Sequence, residues 1–257
     1  MRQPRNEVIR NVDYVRQNPL LVIDVDKLKF VEENAMASWM VHLRIADALI
    51  DKLAGIDNTA FVIGNIAPDS GIPNDDWTAF IPPKTVTHYH REVGKTKKID
   101  VDAFCAEYFS KELIKTYSEK EYSFFLGYYV HLLTDIEWTK KVFDPSKEEY
   151  VGEIIRNKKA FIEKMKEDWY DLDFRYLDEH PTFRAFQIYE QAVGFTNEYM
   201  TEFAPDAFDN RRAYVCEFYH SNEHGELYRE YPYLTPEQAN SFVKETVDYL
   251  YCKIADL

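Results

Sequence analysis

The sequence predicts an all-α protein with a single multi-helix domain, and three observations carry this prediction. Apolar residues recur at helical spacing through most of the chain, as in the stripe of Ile45, Ala46 and Leu49. Glycine accounts for only 8 of 257 residues, against a usual share of about 7%, and a turn-rich all-β fold would need more. Residues that favour helix N-caps stand directly before several of the apolar stripes.

The predicted helices follow one another along the chain. Ser38 caps a helix that runs to residue 53, and Gly55 is its stop signal. Residues 68–84 hold four prolines and are predicted to form a loop. Thr235, followed by Pro236 and Gln238, forms a capping box that begins the last helix. Further helices are predicted over 101–117, 120–143, 147–168, 181–203 and 206–224.

The main helical domain is predicted to cover residues 36–257, with residues 1–35 as an N-terminal extension whose role the sequence does not indicate. Met36 stands immediately before the first strong helix, so we hypothesise that the domain begins there and that Met36 is an alternative translation start. An intact mass of the native protein that begins at Met1 would contradict this hypothesis. The first 20 residues are polar and lack an apolar core of signal-peptide length.

Charge, motifs and cysteine content limit the function classes. The net charge of −14 disfavours the binding of long nucleic acid by general electrostatics. The sequence contains neither G-x-G nor G-x-x-x-x-G-K, so dinucleotide-binding and Walker-type phosphate loops are not expected. Three widely separated cysteines indicate reduced thiols and a cytoplasmic protein. The apolar runs are too short to span a bilayer, so no integral membrane association is expected. The oligomeric state stays open.

The segment Gly127-Tyr-Tyr-Val-His131-Leu-Leu-Thr-Asp135 carries the most chemical information. His131 and Asp135 are four residues apart on a predicted helix and therefore share its inward face. Gly127, one turn earlier, leaves room for another element. An inward-facing charge needs a partner, because an unpaired buried charge is costly. Either a divalent metal or a His–Asp hydrogen bond in the core would satisfy the pair. Considered without other residues, the pair is more typical of the hydrogen bond.

Three further residues have the same ambiguity. His42 lies on the apolar stripe of its helix, and Asp69 follows a proline in a loop. In Thr87-His88-Tyr89-His90, alternating spacing allows only one of the two histidines to face the same centre. Each residue alone favours a structural role. Together with His131 and Asp135, they are the donor types that bind a cluster of divalent metal ions.

Four blocks of the sequence resemble the zinc-dependent phospholipase C family, which shares its helical fold with zinc-dependent single-strand nucleases. The blocks are Met36-Ala-Ser-Trp-Met-Val-His42, Gly64-Asn-Ile-Ala-Pro-Asp69-Ser, Thr87-His88 and Gly127-Tyr-Tyr-Val-His131-Leu-Leu-Thr-Asp135. Their order and spacing match those of the family over about residues 36–140. The resemblance implies an all-α fold around a multi-zinc centre and the hydrolysis of a phosphoester bond.

The resemblance also implies individual roles. Asp69, His88, His131 and Asp135 correspond to the ligands of one metal, and Asp69 also to the general base. His42 corresponds to a ligand of a second metal, with Asp135 bridging the two. Four protein ligands complete one tetrahedral site and two leave the second incomplete, so one tight zinc ion and a weaker second one are expected. Another divalent metal would also fit this donor set.

The sequence departs from the family at two places. Secreted members use a mature N-terminal tryptophan as a ligand, whereas Trp39 is internal here. Residues 139–142 lack the further histidine of the family, so a third zinc is not expected in the family's manner. One other polar cluster is expected to be partly exposed helix surface, with extra metal ligands as the alternative; it comprises Cys216, His220 and His224. A second cluster is expected to be acidic surface and comprises Asp168, Asp171 and Asp173.

A local excess of positive charge lies beside His88. The cations are Lys84, Arg91, Lys95, Lys97 and Lys98. They either attract an anionic substrate to the metal site or belong to a solvated, mobile loop, and the sequence favours neither. If they steer the substrate, charge reversal at the last three should raise its KM.

These observations predict a metal-dependent phosphoester hydrolase, in which a metal-activated water attacks a phosphodiester or phosphomonoester of a small phosphorylated substrate. Two alternatives remain. One is a non-catalytic helical protein that retains a structural metal site. The other is a nuclease of the same fold, which the acidic charge disfavours, because a groove that follows a nucleic-acid strand should be positive.

Overall fold

The computed structural model describes residues 36–75, 79–94, 96–221 and 223–257; the predicted extension, residues 1–35, lies outside the described residues. Helices dominate, and the prediction of an all-α fold is confirmed. The helices are Trp39–Ile50 (α1), Asn58–Ile66 (α2), Lys84–Thr87 (α3), Val101–Tyr108 (α4), Lys111–Ile114 (α5), Glu119–Trp138 (α6), Asp144–Glu149 (α7), Val151–Glu179 (α8), Arg184–Gln191 (α9), Ala207–His220 (α10) and Pro236–Ala255 (α11).

Short irregular and extended segments complete the chain. A 3-10 turn, Ala67–Asp69, follows α2, and a π-helical turn, Thr139–Phe143, follows α6. Two antiparallel pairs of strands were not expected from the sequence. The strands are Ile72–Pro73 (β1), which pairs with Phe80–Ile81 (β2), and His90–Val93 (β3), which pairs with Thr96–Ile99 (β4). The second pair contains three of the cations noted beside His88, namely Arg91, Lys97 and Lys98, so this part of the lysine-rich stretch 84–98 is a hairpin over its described residues.

The capping signals begin helices where the sequence predicts. The Ser38 hydroxyl accepts a hydrogen bond from the Val41 amide at the start of α1. Thr235 and Gln238 form the predicted reciprocal capping box of α11. Helix ends are less well predicted: α1 stops at Ile50, and Gly55, at φ +69°, lies in the loop beyond it.

Three predicted spans are wrong in extent. The helix predicted over 101–117 is broken after Tyr108, and Ser110 caps the separate α5. The helix predicted over 181–203 is confined to α9. Beyond it the Asn197 side chain bonds to several backbone groups of the loop, a competition with helix that asparagine favours. The helix predicted over 147–168 is divided at Tyr150 into α7 and α8, and α8 continues to Glu179.

Two glycines let α2 and α6 pack in direct backbone contact. A Cβ atom on Gly127 would lie 2.1 Å from the Phe61 carbonyl oxygen, and one on Gly64 would lie 2.1 Å from the Phe124 carbonyl oxygen. A contact that close excludes any larger residue at either position. Gly127 therefore makes the room for a neighbouring element that the sequence predicts, and that element is α2.

The expectation that Asp168, Asp171 and Asp173 form acidic surface is wrong, because all three are buried in α8. Arg229 donates to Asp168 at 2.7 Å and to Asp171 at 2.8 Å. The backbone amides of Tyr233 and Gly225 satisfy the remaining oxygens of these two carboxylates. The segment that follows α10 therefore covers one face of α8 and supplies the partners that bury it.

Asp173 is buried on the opposite side of α8, toward α1. It accepts hydrogen bonds from the Ser38 and Tyr219 hydroxyls, each at 2.8 Å. The same Tyr219 hydroxyl receives a hydrogen bond from the Met40 amide at 3.1 Å. These contacts join the start of α1 to α8 and α10. In the described part of the chain, no helix is both long and apolar enough to cross a membrane.

Candidate metal centre

The structure brings the five predicted site residues together in the interior. Helix α1 contributes His42, the 3-10 turn after α2 contributes Asp69, and His88 directly follows α3. His131 and Asp135 lie one turn apart on α6. The three histidines are fully buried, Asp135 is 1% exposed and Asp69 is 9% exposed. The cluster is therefore shielded from bulk water except on the side of Asp69.

Asp135 lies between the three imidazoles. Its Oδ1 is 3.4 Å from His42 Nε2, while its Oδ2 is 3.3 Å from His131 Nε2 and 3.6 Å from His88 Nε2. The Nε2 atoms of His88 and His131 are 3.2 Å apart, and Asp69 Oδ1 is 3.6 Å from His88 Nε2. Two ligand atoms bound to one zinc at about 2.0 to 2.1 Å with tetrahedral angles are about 3.3 Å apart. The observed separations fall around that value.

The ligand atoms form two overlapping groups, in each of which all atoms lie within 4.8 Å of one another. His42, His131 and Asp135 form one group, and Asp69, His88 and His131 form the other. The His42 and His131 rings stack in parallel, with their centroids 3.8 Å apart. The two groups share His131, whereas the predicted bridge Asp135 belongs only to the first. The number of ions that the cluster holds stays a prediction.

Neighbouring groups fix the orientation of the imidazoles. His131 Nδ1 donates to the Asn65 carbonyl oxygen at 2.8 Å, which directs the lone pair of Nε2 into the cluster. His88 Nδ1 lies 2.9 Å from the Thr87 hydroxyl, and the Tyr128 hydroxyl donates to the Thr87 carbonyl. After His88 the chain turns sharply through Tyr89, which has a left-handed φ of 50°. That turn sends the chain into β3 and leaves His88 pointing inward.

The carboxylates are held by donors that the sequence did not single out for this purpose. Asp69 Oδ2 accepts a hydrogen bond from Trp39 Nε1 at 3.0 Å, and Asp135 Oδ1 accepts one from the Ala37 amide at 3.0 Å. Trp39 stands within the first of the four blocks that carry the family resemblance, so the sequence did indicate that this part of the chain belongs to the site. The Asn65 carbonyl and the Ala37 amide are backbone groups, for which no residue type gives a signal.

Burial and the nearby charges shift the pKa values of the cluster in opposite directions. Burial lowers the pKa of His42 and lowers that of His88 to about 3. Burial also opposes protonation of His131, but the Asp135 carboxylate outweighs it and raises the pKa of His131. Although burial alone would raise the pKa of both carboxyl groups, Lys84 beside Asp69 and His131 beside Asp135 hold each pKa below its usual range. The carboxylates are therefore ionised at neutral pH.

Four buried polar atoms of the cluster are left unsatisfied by hydrogen bonds, so the cluster could accept a cation. His42 Nδ1, His42 Nε2, Asp69 Oδ1 and Asp135 Oδ2 are buried and have no hydrogen-bond partner among the residues that the structure describes. Buried polar atoms in proteins are normally satisfied, so each exception calls for an explanation. Three of these atoms lie within 3.6 Å of another residue of the cluster: His42 Nε2 is 3.4 Å from Asp135, Asp69 Oδ1 is 3.6 Å from His88, and Asp135 Oδ2 is 3.3 Å from His131. Nitrogen and carboxylate oxygen donors at these separations fit divalent zinc.

The other candidate residues lie elsewhere. Helix α10 ends at His220, so His224 is not on it. Cys216 is buried, whereas His220 is exposed and pairs with Glu190, and His224 is exposed. The exposed character expected of this cluster therefore holds for its two histidines and is wrong for Cys216.

The fold places the cations of the lysine-rich stretch in different surroundings. Lys84 Nζ lies 3.6 Å from Asp69 Oδ1, next to the cluster. Arg91 pairs with Asp100 at 3.1 Å, Lys98 is exposed on β4, and Lys95 lies outside the described residues. Lys84 therefore brings its positive charge directly to the cluster, whereas the charge of Arg91 is matched by Asp100, which caps α4. Substrate attraction by the cations beyond Lys84 stays a prediction.

Comparison with known proteins agrees with this geometry. The model of the family described as zinc dependent phospholipase C matches residues 41–138. No curated protein and no solved structure gives a significant match. The matched segment contains all five residues of the cluster. The resemblance predicted from the sequence is therefore confirmed: residues 41–138 carry the sequence pattern of the zinc-dependent phospholipase C family, with a buried His/Asp cluster able to hold a metal.

Proposed function

We propose that this protein is a metal-dependent phosphoester hydrolase that acts on a small phosphorylated substrate. One observation carries the proposal: side chains from two helices, a 3-10 turn and the residue after α3 converge in the interior, and four of their buried polar atoms have no hydrogen-bond partner among the described residues. The family match over residues 41–138 supports zinc as the metal. We propose His42, Asp69, His88, His131 and Asp135 as the ligands.

The side chains of this cluster can divide the work of hydrolysis. When bound, zinc supplies a Lewis acid that polarises a phosphoryl oxygen and activates a water molecule. His131 is held by Asn65 in the tautomer that presents Nε2, so it needs no reorganisation to bind a cation. Asp69 is the most exposed member and stays ionised, and it can therefore accept the proton of an attacking water. Trp39 fixes the oxygen of Asp69 that faces away from the other ligands.

Burial of the cluster supports catalysis as well as binding. Electrostatic interactions are stronger where water is excluded, and ligands that are already oriented need not reorganise during the reaction. The solvent side of Asp69 and Lys84 is the direction from which a substrate can approach. A site this enclosed favours a small phosphate ester over a polymer.

The experiment is an assay of phosphodiesters and phosphomonoesters with zinc or manganese added. We compare the wild-type protein, the double variant His131→Ala, Asp135→Ala, and the control His220→Ala, which removes an exposed histidine outside the cluster. We expect hydrolysis by the wild-type protein and the control and none by the double variant. Elemental analysis should find zinc in the first two and much less in the third.

Two outcomes would overturn the proposal. The metal has a structural role if the wild-type protein binds zinc but hydrolyses none of the esters, and if the double variant melts at a much lower temperature than the wild type. If the double variant keeps full activity, the cluster is not the active site.

A further inference from the structure

Helix α10 packs one of its faces against the Trp39 indole, the group that holds the Asp69 carboxylate. Arg211, Tyr214 and Phe218 follow one another at intervals of three and four residues, so they share this face. The Tyr214 and Phe218 rings each lie 5.9 Å from the Trp39 ring, at an angle of 85° to it. Edge-to-face contacts of this kind are favourable and orient the rings. The indole is therefore held by a helix that is distant in sequence.

Arg211 is the charged residue of this face, and only 6% of it is exposed. Its guanidinium carbon lies 5.6 Å from the centre of the Trp39 ring, within the range of a cation–π contact. Its Nη2 also donates a hydrogen bond of 2.7 Å to the Gly71 carbonyl oxygen. A planar guanidinium with donors in fixed directions can make both contacts at once. Arg211 thus joins the indole to the chain just after Asp69.

These contacts hold the Asp69 carboxylate from two directions. Trp39 Nε1 donates to Asp69 Oδ2 at 3.0 Å, and Gly71 lies two residues beyond the 3-10 turn that ends at Asp69. The other oxygen, Oδ1, is directed to the cluster and lies 3.6 Å from His88 Nε2. If the indole rotated, Oδ2 would lose its donor and the carboxylate could turn away from His88. The orientation of a proposed ligand therefore depends on a buried arginine of α10.

We propose that Arg211 is a positioning residue of the candidate metal centre and that it fixes Asp69 through Trp39 and Gly71. This inference rests on the proposed function. It adds to the site a helix that lies outside the segment matched by the family, residues 41–138. Groups that orient metal ligands typically change the metal affinity 10- to 100-fold when they are removed. Because Arg211 acts in part through Trp39, the two residues should not contribute independently.

Zinc affinity, measured by competition with a chelator, tests this role without relying on turnover. Arg211→Met removes the guanidinium, and Trp39→Phe replaces the indole by a ring without the Nε1 donor. We expect each variant to weaken zinc binding about tenfold or more. The loss in the double variant should be smaller than the product of the two single losses, because the two changes disrupt the same contact. Arg211→Lys keeps the charge and a donor for the Gly71 carbonyl, so it should recover much of the affinity.

Arg212→Met is the matched control, because Arg212 is the next residue of α10 and its guanidinium has other partners. It pairs with Asp209 at 2.7 Å and donates to the Glu190 carbonyl oxygen at 3.2 Å. Its loss should lower the unfolding free energy in urea and leave the affinity for zinc unchanged. Indole fluorescence gives a second readout, because Trp39 donates to a proposed ligand. The change in emission on zinc binding should be reduced in Arg211→Met and retained in the control.

The outcomes separate this role from the proposed function. Wild-type zinc affinity in Arg211→Met, or an equal loss in Arg212→Met, overturns the positioning role. Single losses that simply multiply in the double variant also overturn it, because Arg211 would then act independently of Trp39. If Arg211→Met does not fold, Arg211→Gln, which keeps an amide donor for the Gly71 carbonyl, replaces it under the same criteria. A wild-type protein that binds no zinc refutes the proposed function itself, whereas tight zinc binding and ester hydrolysis by every variant refute the role of Arg211 alone.

Discussion

The close contact between α2 and α6 predicts that Gly127→Ala will damage both the stability and the metal site. The new Cβ would lie 2.1 Å from the Phe61 carbonyl oxygen, whereas ordinary contacts begin at 3.4 Å, so the helices must separate by about 1.3 Å. The obstacle is backbone, which cannot rotate away. The hydrogen bond from Asn65 Nδ2 to the Gly127 carbonyl, 3.2 Å long, would be broken by that shift.

The expected cost combines overpacking with the lost hydrogen bond. Overpacking of a tight core costs about 1 to 3 kcal/mol, and a buried hydrogen bond contributes about 1 kcal/mol. The unfolding free energy should therefore fall by about 2 to 4 kcal/mol. Because Asn65 moves with α2, its carbonyl would also leave His131 Nδ1, and the affinity for zinc should fall about 10- to 100-fold, as for the loss of other groups that orient ligands.

Urea denaturation and zinc titration measure the two effects. The control is Gly55→Ala, because Gly55 has a positive φ but no atom within 4 Å of the position that an added Cβ would take. It should cost about 1 kcal/mol in conformational strain and leave the affinity for zinc unchanged. A Gly127→Ala protein that unfolds within about 1 kcal/mol of the wild type and binds zinc equally well would refute the reasoning.

The remaining predictions concern buried charge and ligand number. Arg229→Ala leaves two buried carboxylates without their cation and should cost about 3 to 5 kcal/mol of unfolding free energy. Arg175→Ala, which removes a more exposed ion pair on α8, should cost less than about 1 kcal/mol. Equal losses of unfolding free energy for the two variants in urea denaturation would contradict the difference. Burial raises the pKa of Asp173 to about 7, above its unfolded value near 4, so the folded protein binds a proton that the unfolded chain releases. Stability should therefore fall from about pH 4 to pH 7, by at most about 4 kcal/mol, and Asp173→Asn should remove this part of the slope; an identical pH profile would count against it. Zinc titration of the metal-free protein should show one tight site and one weaker site, whereas two equally tight sites would mean that a ligand has been missed.

The convergence of the five site residues was predictable from local patterns combined with a family resemblance. Helical spacing places His131 and Asp135 on one face, and apolar neighbours turn that face inward. The positions of Asp69 and His88 depend on a turn and on the left-handed residue Tyr89, which periodicity does not reveal. For these two residues the resemblance, rather than the spacing, carried the prediction.

The buried acids of α8 show what local patterns miss. Asp168 and Asp171 stand among charged residues in a helix with many polar positions, so an exposed face was the natural expectation. Their burial depends on Arg229 and on two backbone amides more than 50 residues away. Helical periodicity describes one element at a time, and it cannot indicate which distant segment will cover a polar face.

Burial alone therefore does not separate a binding site from a structural cluster in this protein. Like Asp135, the three acids Asp168, Asp171 and Asp173 are buried, yet hydrogen bonds from an arginine, backbone amides and hydroxyls hold them. Asp135 Oδ2 and both nitrogens of His42 have no such partner within the described part of the chain. A carboxylate whose partners are already supplied by the fold has little to gain from a cation. The unsatisfied atoms of the cluster are carboxylate oxygens and imidazole nitrogens, which a cation could satisfy, and they lie in the segment that matches a zinc-dependent family.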